Sequence, residues 1–377
     1  MTELRVALIG GAGFMGNAHS HAYALAAVDS RLGVSLRRAV LVDTDAERAV
    51  EAAARLGWDE GVTDWRTVVE RPDIDIVDIV TPPNSHEEIA VAAMAAGKHV
   101  LCEKPIANDA AAAQRMWDVA RSAGVVTQVA HNYRHAPAIG YVRELLDEGI
   151  LGDPLQFRVS YMFEGGFSDQ ASGWRGARST GGSGMSGDLG SHIIDIAVYL
   201  LGDIRRVSGR IVRKGAILQG SRLAESEELD DAGLFLAEFA DGGLGSFAFG
   251  IQSWRNYNHL AFELDATKGA VAFDWNRRDQ LQLALGTDVG REAGSRTIHL
   301  GPKHPDPWWG MTGLGTGYIE PGATQLRKFV GAIVEGGIAH PNFGEGVHIQ
   351  AVVDAVVTSS DTGRWVDVPP RDAEAIG

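Results

Sequence analysis

The sequence predicts a two-domain protein in which a doubly wound, mostly parallel α/β sheet is followed by a domain built on an antiparallel sheet. Three observations carry this. Up to about residue 130, short apolar runs alternate with helical stretches in βαβ rhythm. The first run ends in a glycine cluster, Gly10-Gly11-Ala12-Gly13-Phe14-Met15-Gly16. From Leu155 onward the pattern changes to short alternating strands divided by Gly and Asp turns. A length of 377 residues also exceeds the roughly 100–200 usual for one domain.

Taken in order, Leu4–Ile9 is a compact apolar strand that stops at Gly10. The glycines that follow read G-x-G-x-x-G at 11, 13 and 16, with a helical stretch behind them. Such glycines turn the chain sharply, let backbone approach a pyrophosphate, and let the helix pack on its strand. Either Gly10 or Gly11 serves as the turn glycine, because the loop carries two in succession. The N–H groups of Phe14, Met15 and Gly16 at the helix start would face the phosphates. Three glycines alone could equally make a plain turn.

The second strand, Arg38–Val42, leads into Asp43, 27 positions after Gly16. An acid near this offset accepts both ribose hydroxyls of a dinucleotide. Its charge repels a 2′-phosphate, and Thr44 follows rather than arginine, so NAD is favoured over NADP. Asp43 could also cap the helix of Asp45–Leu56. Ile74–Val80, His99–Cys102 and Val125–Ala130 supply further strands, with helices over Ser85–Ala96 and Asp109–Ala123. Ligands of such sheets bind beyond the carboxyl ends of the strands, here Gly10, Asp43, Thr81 and Glu103-Lys104-Pro105.

Lys104 precedes a proline, which drives it into extended backbone and permits a cis bond at that point. A lysine at a strand end is commonly a solvated charge. Its context comes from the second half, where the loop Gly181–Gly187 runs into Asp188-Leu189-Gly190-Ser191-His192 and an apolar helix stopped by Gly202. Asp188 and His192 are four apart and Asp195 three further on, so a helix presents them on one face. Capping and core packing are the ordinary uses of such residues.

Their combination suits removal of hydride from a carbinol carbon. That reaction needs a base poised near neutrality, which histidine supplies. A fixed cation such as Lys104 stabilises the developing alkoxide. Asp188 would bind a further hydroxyl or orient the histidine.

The G-x-G-x-x-G start, Asp43, the turn Thr81-Pro82-Pro83-Asn84-Ser85-His86, Glu103-Lys104-Pro105 and Gly187–His192 with Asp195 together resemble the glucose-fructose oxidoreductase/inositol dehydrogenase family (Gfo/Idh/MocA) over essentially the whole chain. The His19-Ser20-His21-Ala22-Tyr23 segment resembles its sugar-oxidising branch. The resemblance implies an NAD-binding Rossmann domain over 1–130 and an α+β domain over 131–377 for substrate binding and oligomerisation. That second domain would have a large open, mainly antiparallel sheet, and the C-terminal helix could pack back on the first domain. The resemblance also implies that Lys104, Asp188 and His192 are the catalytic group, with His192 as acid/base. Thr81, Asn84, His86 and Glu103 would line the nicotinamide half of the cofactor, and Asn132, Trp174 and Arg175 would lie near the substrate. Trp174 and Arg175 could equally be a packed aromatic and a surface ion-pair partner. The free sheet face of relatives builds homodimers or homotetramers.

Composition sets bounds on this reading. A formal charge of −15 argues against nucleic-acid or anionic-membrane partners. Cys102 is the sole cysteine, so an internal disulfide and a cysteine-based structural zinc site are excluded and a cytoplasmic location is expected. The N-terminus begins a strand without an export signal, and no apolar window approaches the ~20 residues of a membrane span. No metal is expected, since His131 and His135 have helical spacing but lack further ligands. No tyrosine is followed by lysine four residues on, so the short-chain Tyr-x-x-x-Lys pair is absent. No Arg/Lys cluster suggests a phosphorylated substrate. The substrate expected is a sugar, anhydrosugar or polyol. The Pro305–Gly310 loop, with Trp308 and Trp309, would meet a sugar ring or a subunit interface. Two other classes share the fold: a sugar- and dinucleotide-sensing regulator, and a glycoside-cleaving enzyme with transient oxidation.

Overall fold

The computed structural model describes residues 2–164, 178–213, 229–288, 290 and 293–376. The chain divides into two compact units, one of Met1–Asn132, Tyr318–Val347 and Arg371–Gly377, the other of Tyr133–Gly317 and His348–Pro370.

The first unit contains β1 (Glu3–Ile9), α1 (Phe14–Ala26), β2 (Ser35–Val42), α2 (Ala46–Leu56), β3 (Glu60–Val62), α3 (Trp65–Val69), β4 (Ile76–Ile79), α4 (His86–Ala95), β5 (His99–Cys102), α5 (Ala110–Ala123) and β6 (Thr127–Val129). The second contains α6 (Pro137–Asp147), β7 (Pro154–Phe163), α7 (Arg178–Gly181), α8 (Ser191–Leu201), β8 (Ile204–Val212), β9 (Ala232–Phe239), β10 (Leu244–Gly250), β11 (Asn258–Ala266), β12 (Gly269–Asp274), β13 (Gln280–Leu285) and β14 (Arg296–His299). Then come α9 (Ile319–Glu335), α10 (Phe343–Thr362), β15 (Val366–Asp367) and α11 (Ala373–Ile376).

The six strands of the first unit are all parallel, in the order β3-β2-β1-β4-β5-β6. Both faces are covered, so the strands are nearly continuous apolar runs. Asp45, Asp64 and Asp109 cap α2, α3 and α5 by accepting backbone N–H bonds, and left-handed Gly57 and Gly124 end α2 and α5. The strand order reverses between β1 and β4, which opens a crevice at the carboxyl ends.

Register fixes the level of those ends. Ile9 is opposite both Val42 and Ile79, and Ile79 is opposite Cys102. Gly10, Asp43, Val80 and Glu103 therefore leave the sheet at one height.

Two late segments, Tyr318–Val347 and Arg371–Gly377, cluster with this unit. The cause is packing: α9 lies against α1, where Gly322 meets Ala22. Trp117 Nε1 donates to Asp372 at 3.0 Å, and Asn342 Nδ2 to the Ala375 carbonyl at 2.9 Å.

The second unit is a nine-stranded sheet, β14-β13-β12-β11-β7-β10-β9-β8-β15. It is mainly antiparallel, as expected, with β10 alone running parallel to its neighbour β7 among the described pairs. The passage through α8 carries the chain from β7 to a distant β8, and the antiparallel pairs β8–β9 and β9–β10 return it beside β7 in the same direction. One face carries the core: Phe157, Phe235, Phe247 and Phe262 are buried, with Phe235 stacked on Phe247 at 4.3 Å. Nearly all of α8 is buried, which explains its apolar character on every face. Ser359 and Ser360 of α10 accept the Gly209 and Ile211 N–H groups of β8 beyond its short pairing with β15. Among the described residues no helix is long and apolar enough to cross a membrane.

Candidate active site

The glycine loop after β1 is built as a cradle. Left-handed backbone falls at Gly10, with φ of 91°, so Gly10 is the turn glycine. Gly11 is required for a different reason: a Cβ there would lie 2.5 Å from the Leu41 side chain. A Cβ on Gly16 would stand 2.0 Å from the Gly11 carbonyl oxygen, so only glycine lets α1 close on the strand. At Gly13 the nearest atom to such a Cβ is 3.8 Å away. That leaves an open approach beside the start of α1, whose first N–H groups have no side-chain cap.

The Asp43 carboxylate accepts from the Ala12 N–H at 3.2 Å, tying the end of β2 to the cradle. Asp45, not Asp43, caps α2, accepting from Arg48 N at 3.0 Å. Thr44 beside it is exposed. These features fit a dinucleotide, with phosphates at the helix start and a ribose beside Asp43.

Thr81 and exposed Asn84 lie on the turn after β4, where Ser85 Oγ donates to Thr81 Oγ1 at 2.8 Å. His86 is fully buried beneath this turn. Its Nε2 lies 2.8 Å from the Thr81 carbonyl and its Nδ1 3.1 Å from that of Pro105, and burial pushes its pKa down. The ring thus sits between the Thr81 turn and the turn at Pro105, and as a neutral imidazole it donates to one of the two carbonyls.

Lys104 is half-buried, and the bond to Pro105 is cis. Its backbone N–H donates to Glu103 Oε2 at 3.0 Å. Glu103 is itself buried, and its other oxygen lies 3.1 Å from His19 Nε2. Asn132 shares a small cavity with Met15, His19 and Glu103. Cys102 lies inward of Glu103, fully buried; burial and the charges of Glu103 and Asp78 push its thiol well above the usual range.

In the second unit Asp188 lies on a π-helical turn, Ser186–Gly190, that feeds into α8 at Ser191. Such wide turns recur at functional sites. The turn is anchored by buried Asp230, which accepts from Ser186 N at 2.8 Å and from Ser186 Oγ. Burial pushes the Asp230 carboxyl up to about 6, against the lowering effect of the Ser186 bonds. Asp188 is half-buried and His192 buried.

Both face Tyr133. Its ring meets the His192 imidazole edge-on at 4.6 Å, and burial, with the Asp188 charge as a lesser contributor, raises its phenol. Tyr133 Oη and Tyr161 Oη are 2.8 Å apart, and the Trp275 ring closes the wall at 4.3 Å from Tyr133. Sequence reading missed Tyr133, Tyr161 and Trp275, which are far apart in the chain. Asp195 shares the His192 side of α8 but forms a buried ion pair with Arg134, Nε to Oδ2 at 2.9 Å. It therefore anchors the helix.

Trp174 and Arg175 lie outside the described residues. Trp308 and Trp309 line a shallow pocket with Pro137, Leu300 and Met311. Among the described residues no group of three or more His, Cys, Asp or Glu is arranged to hold a metal ion.

Comparison with known proteins gives a consistent result. Residues 4–131 match the Gfo/Idh/MocA model described as "Oxidoreductase family, NAD-binding Rossmann fold", and residues 139–272 match the Gfo/Idh/MocA C-terminal domain. Levoglucosan dehydrogenase of Pseudarthrobacter phenanthrenivorans is 36% identical over 99% of this chain and 100% of its own length. A 1,5-anhydro-D-fructose reductase of Ensifer adhaerens is 30% identical over 87% of this chain and 90% of its own. The structure of levoglucosan dehydrogenase in complex with NADH and levoglucosan aligns with a TM-score of 0.92 at 36% identity, covering 98% of this chain and 100% of that one.

Proposed function

The chain belongs to the Gfo/Idh/MocA family of oxidoreductases, and from that premise we propose that it is an NAD-dependent dehydrogenase of a sugar, anhydrosugar or cyclitol, oxidising a secondary or ring hydroxyl. The observation that carries this is the full-length likeness to levoglucosan dehydrogenase in a chain that has Lys104, Asp188 and His192 at the positions expected for the catalytic group. An anhydrosugar is the first substrate to try.

When bound, the nicotinamide ring supplies the hydride acceptor. The rest falls to the protein. His192 takes the hydroxyl proton as the carbon–hydrogen bond breaks, and the imidazolium so formed passes it to solvent. The Lys104 ammonium stabilises negative charge on the oxygen as it becomes a carbonyl. Asp188 binds a neighbouring hydroxyl or orients the histidine. The Gly10–Gly16 cradle receives the phosphates, and Asp43 the ribose, which favours NAD over NADP.

Assembly as a homodimer or homotetramer through the open sheet face is supported by Leu234 and Leu236. Both are exposed and alternate along β9 with buried Phe235 and Ala237.

The test is NADH formation against a panel of anhydrosugars, monosaccharides and inositols, run with NAD+ and NADP+. Accumulating NADH with a sugar or cyclitol is the expected result. Cleavage of a glycoside without net NADH, or binding without turnover, would replace the reading.

A further inference from the structure

A second histidine, outside the proposed acid/base group, is tied into the first unit by two carboxylates. His19 lies on the inner face of α1, where Nδ1 is 2.8 Å from Asp78 Oδ2 and Nε2 is 3.1 Å from Glu103 Oε1. Asp78 is fully buried in β4, between Val77 and Ile79, where a carboxylate is costly unless it is paired. Only a ring protonated on both nitrogens donates to both acids. A neutral ring would turn one lone pair toward a carboxylate.

The chain of contacts continues to the reactive region. The second oxygen of Glu103 holds the Lys104 N–H at 3.0 Å. The link runs from the centre of β4, through a side chain of α1, to the backbone that presents the Lys104 ammonium. We propose that His19 is a positioning residue: bonded to Asp78 and Glu103 as an imidazolium, it fixes the Glu103 carboxylate and thereby the Lys104 backbone. The proposal rests on the dehydrogenase reading for its consequence, but not for the clamp itself.

The charges around the ring agree. Burial disfavours the imidazolium, but the charges and hydrogen bonds of Asp78 and Glu103 outweigh it and push the pKa up to about 10. Tyr23, one turn along α1, adds a phenol that burial and Asp78 hold well above its usual range, so it stays neutral. The cavity beside the ring is also lined by Ile319, Gly322 and Gln325 of α9, none of them ionisable, and by the Tyr318 phenol just before that helix.

Two measurements test this. In the full chain with nitrogen-15 histidine, both His19 ring nitrogens should read as protonated at roughly pH 8, well above the ordinary histidine pKa of about 6.5. A neutral His19 there overturns the clamp, whether or not the chain turns over any sugar. Second, His19→Asn should lower kcat on the order of a hundredfold, as small misplacement of a reacting group does. The KM for NAD+ should stay within about threefold. His19→Gln, whose amide keeps an N–H in reach of Glu103, should recover about a tenth or more of the wild-type kcat. Unchanged kcat in both variants, or a KM rise that accounts for the whole loss, overturns positioning. If neither variant folds, the resting-state spectrum still decides the clamp. If the unaltered chain forms no NADH with any substrate, the dehydrogenase reading fails and that same spectrum again judges His19.

Discussion

Tyr133 stands edge-on to His192 with ring centroids 4.6 Å apart, and its hydroxyl is 2.8 Å from that of Tyr161. The imidazole is thus oriented by a neighbour that the chain contributes 59 residues earlier. Tyr133→Phe keeps the ring contact and loses the hydroxyl's bonds to Tyr161 Oη and Asn258 Nδ2. It should lower kcat by less than about tenfold. Tyr133→Ala removes the wall and should cost about 3–5 kcal/mol of stability, with a larger fall in kcat. Thermal melts and steady-state kinetics on both variants check the order.

Lys104→Ala and His192→Ala should each lower kcat by on the order of a hundredfold to ten-thousandfold, the usual range for a group that stabilises developing charge and for a positioned acid–base group. NAD+ binding, followed by fluorescence titration, should change little. Undiminished turnover in both would remove the proposed chemistry.

Asp43→Ala removes the carboxylate that accepts from Ala12 N–H and would face the ribose. NAD+ affinity should drop about tenfold, and discrimination against NADP+ should narrow, because the repulsive charge is gone. Separate KM values for the two cofactors read this directly.

Breaking the buried Arg134–Asp195 pair should be expensive. Asp195→Asn leaves a guanidinium in the core without its counter-charge and should cost about 3–5 kcal/mol. Urea denaturation at constant pH gives the value.

Asp230 makes a pH-dependent prediction. Its folded pKa, about 6, lies above the ordinary aspartate value. In the window between them the folded state keeps a proton that the unfolded state has released. Stability from this group is therefore full below the unfolded pKa and falls, by about 1.4 kcal/mol per pH unit, as pH rises toward 6. Asp230→Asn mimics the protonated form. Its melting temperature relative to the parent should rise between about pH 4 and pH 6 and level off above that.

How much of this was legible depended on sequence distance. The cradle, the Lys104–Pro105 stop and the Asp188–His192 spacing are local patterns, so they read directly. The turn glycine needed the backbone, because Gly10 and Gly11 are both indispensable for separate reasons. The partners of the site residues were hidden: His19 reaches Asp78 across 59 positions and Glu103 across 84, and Arg134 reaches Asp195 across 61. Nothing in periodicity encodes such pairings. Short polar β14 carries no apolar run to announce it, and α9 joins the first unit through packing that composition does not reveal.

Cys102 turns from a compositional detail into a chemical clock. It is the sole thiol, it sits fully buried at the carboxyl end of β5 in the nucleotide sheet, and its thiolate is disfavoured there. Alkylating reagents can reach it only when that sheet opens, so the labelling rate of the unaltered chain measures the free energy of that opening. A ligand that holds the sheet closed slows the clock in proportion to its occupancy, which makes one native sulfur a cofactor-binding assay.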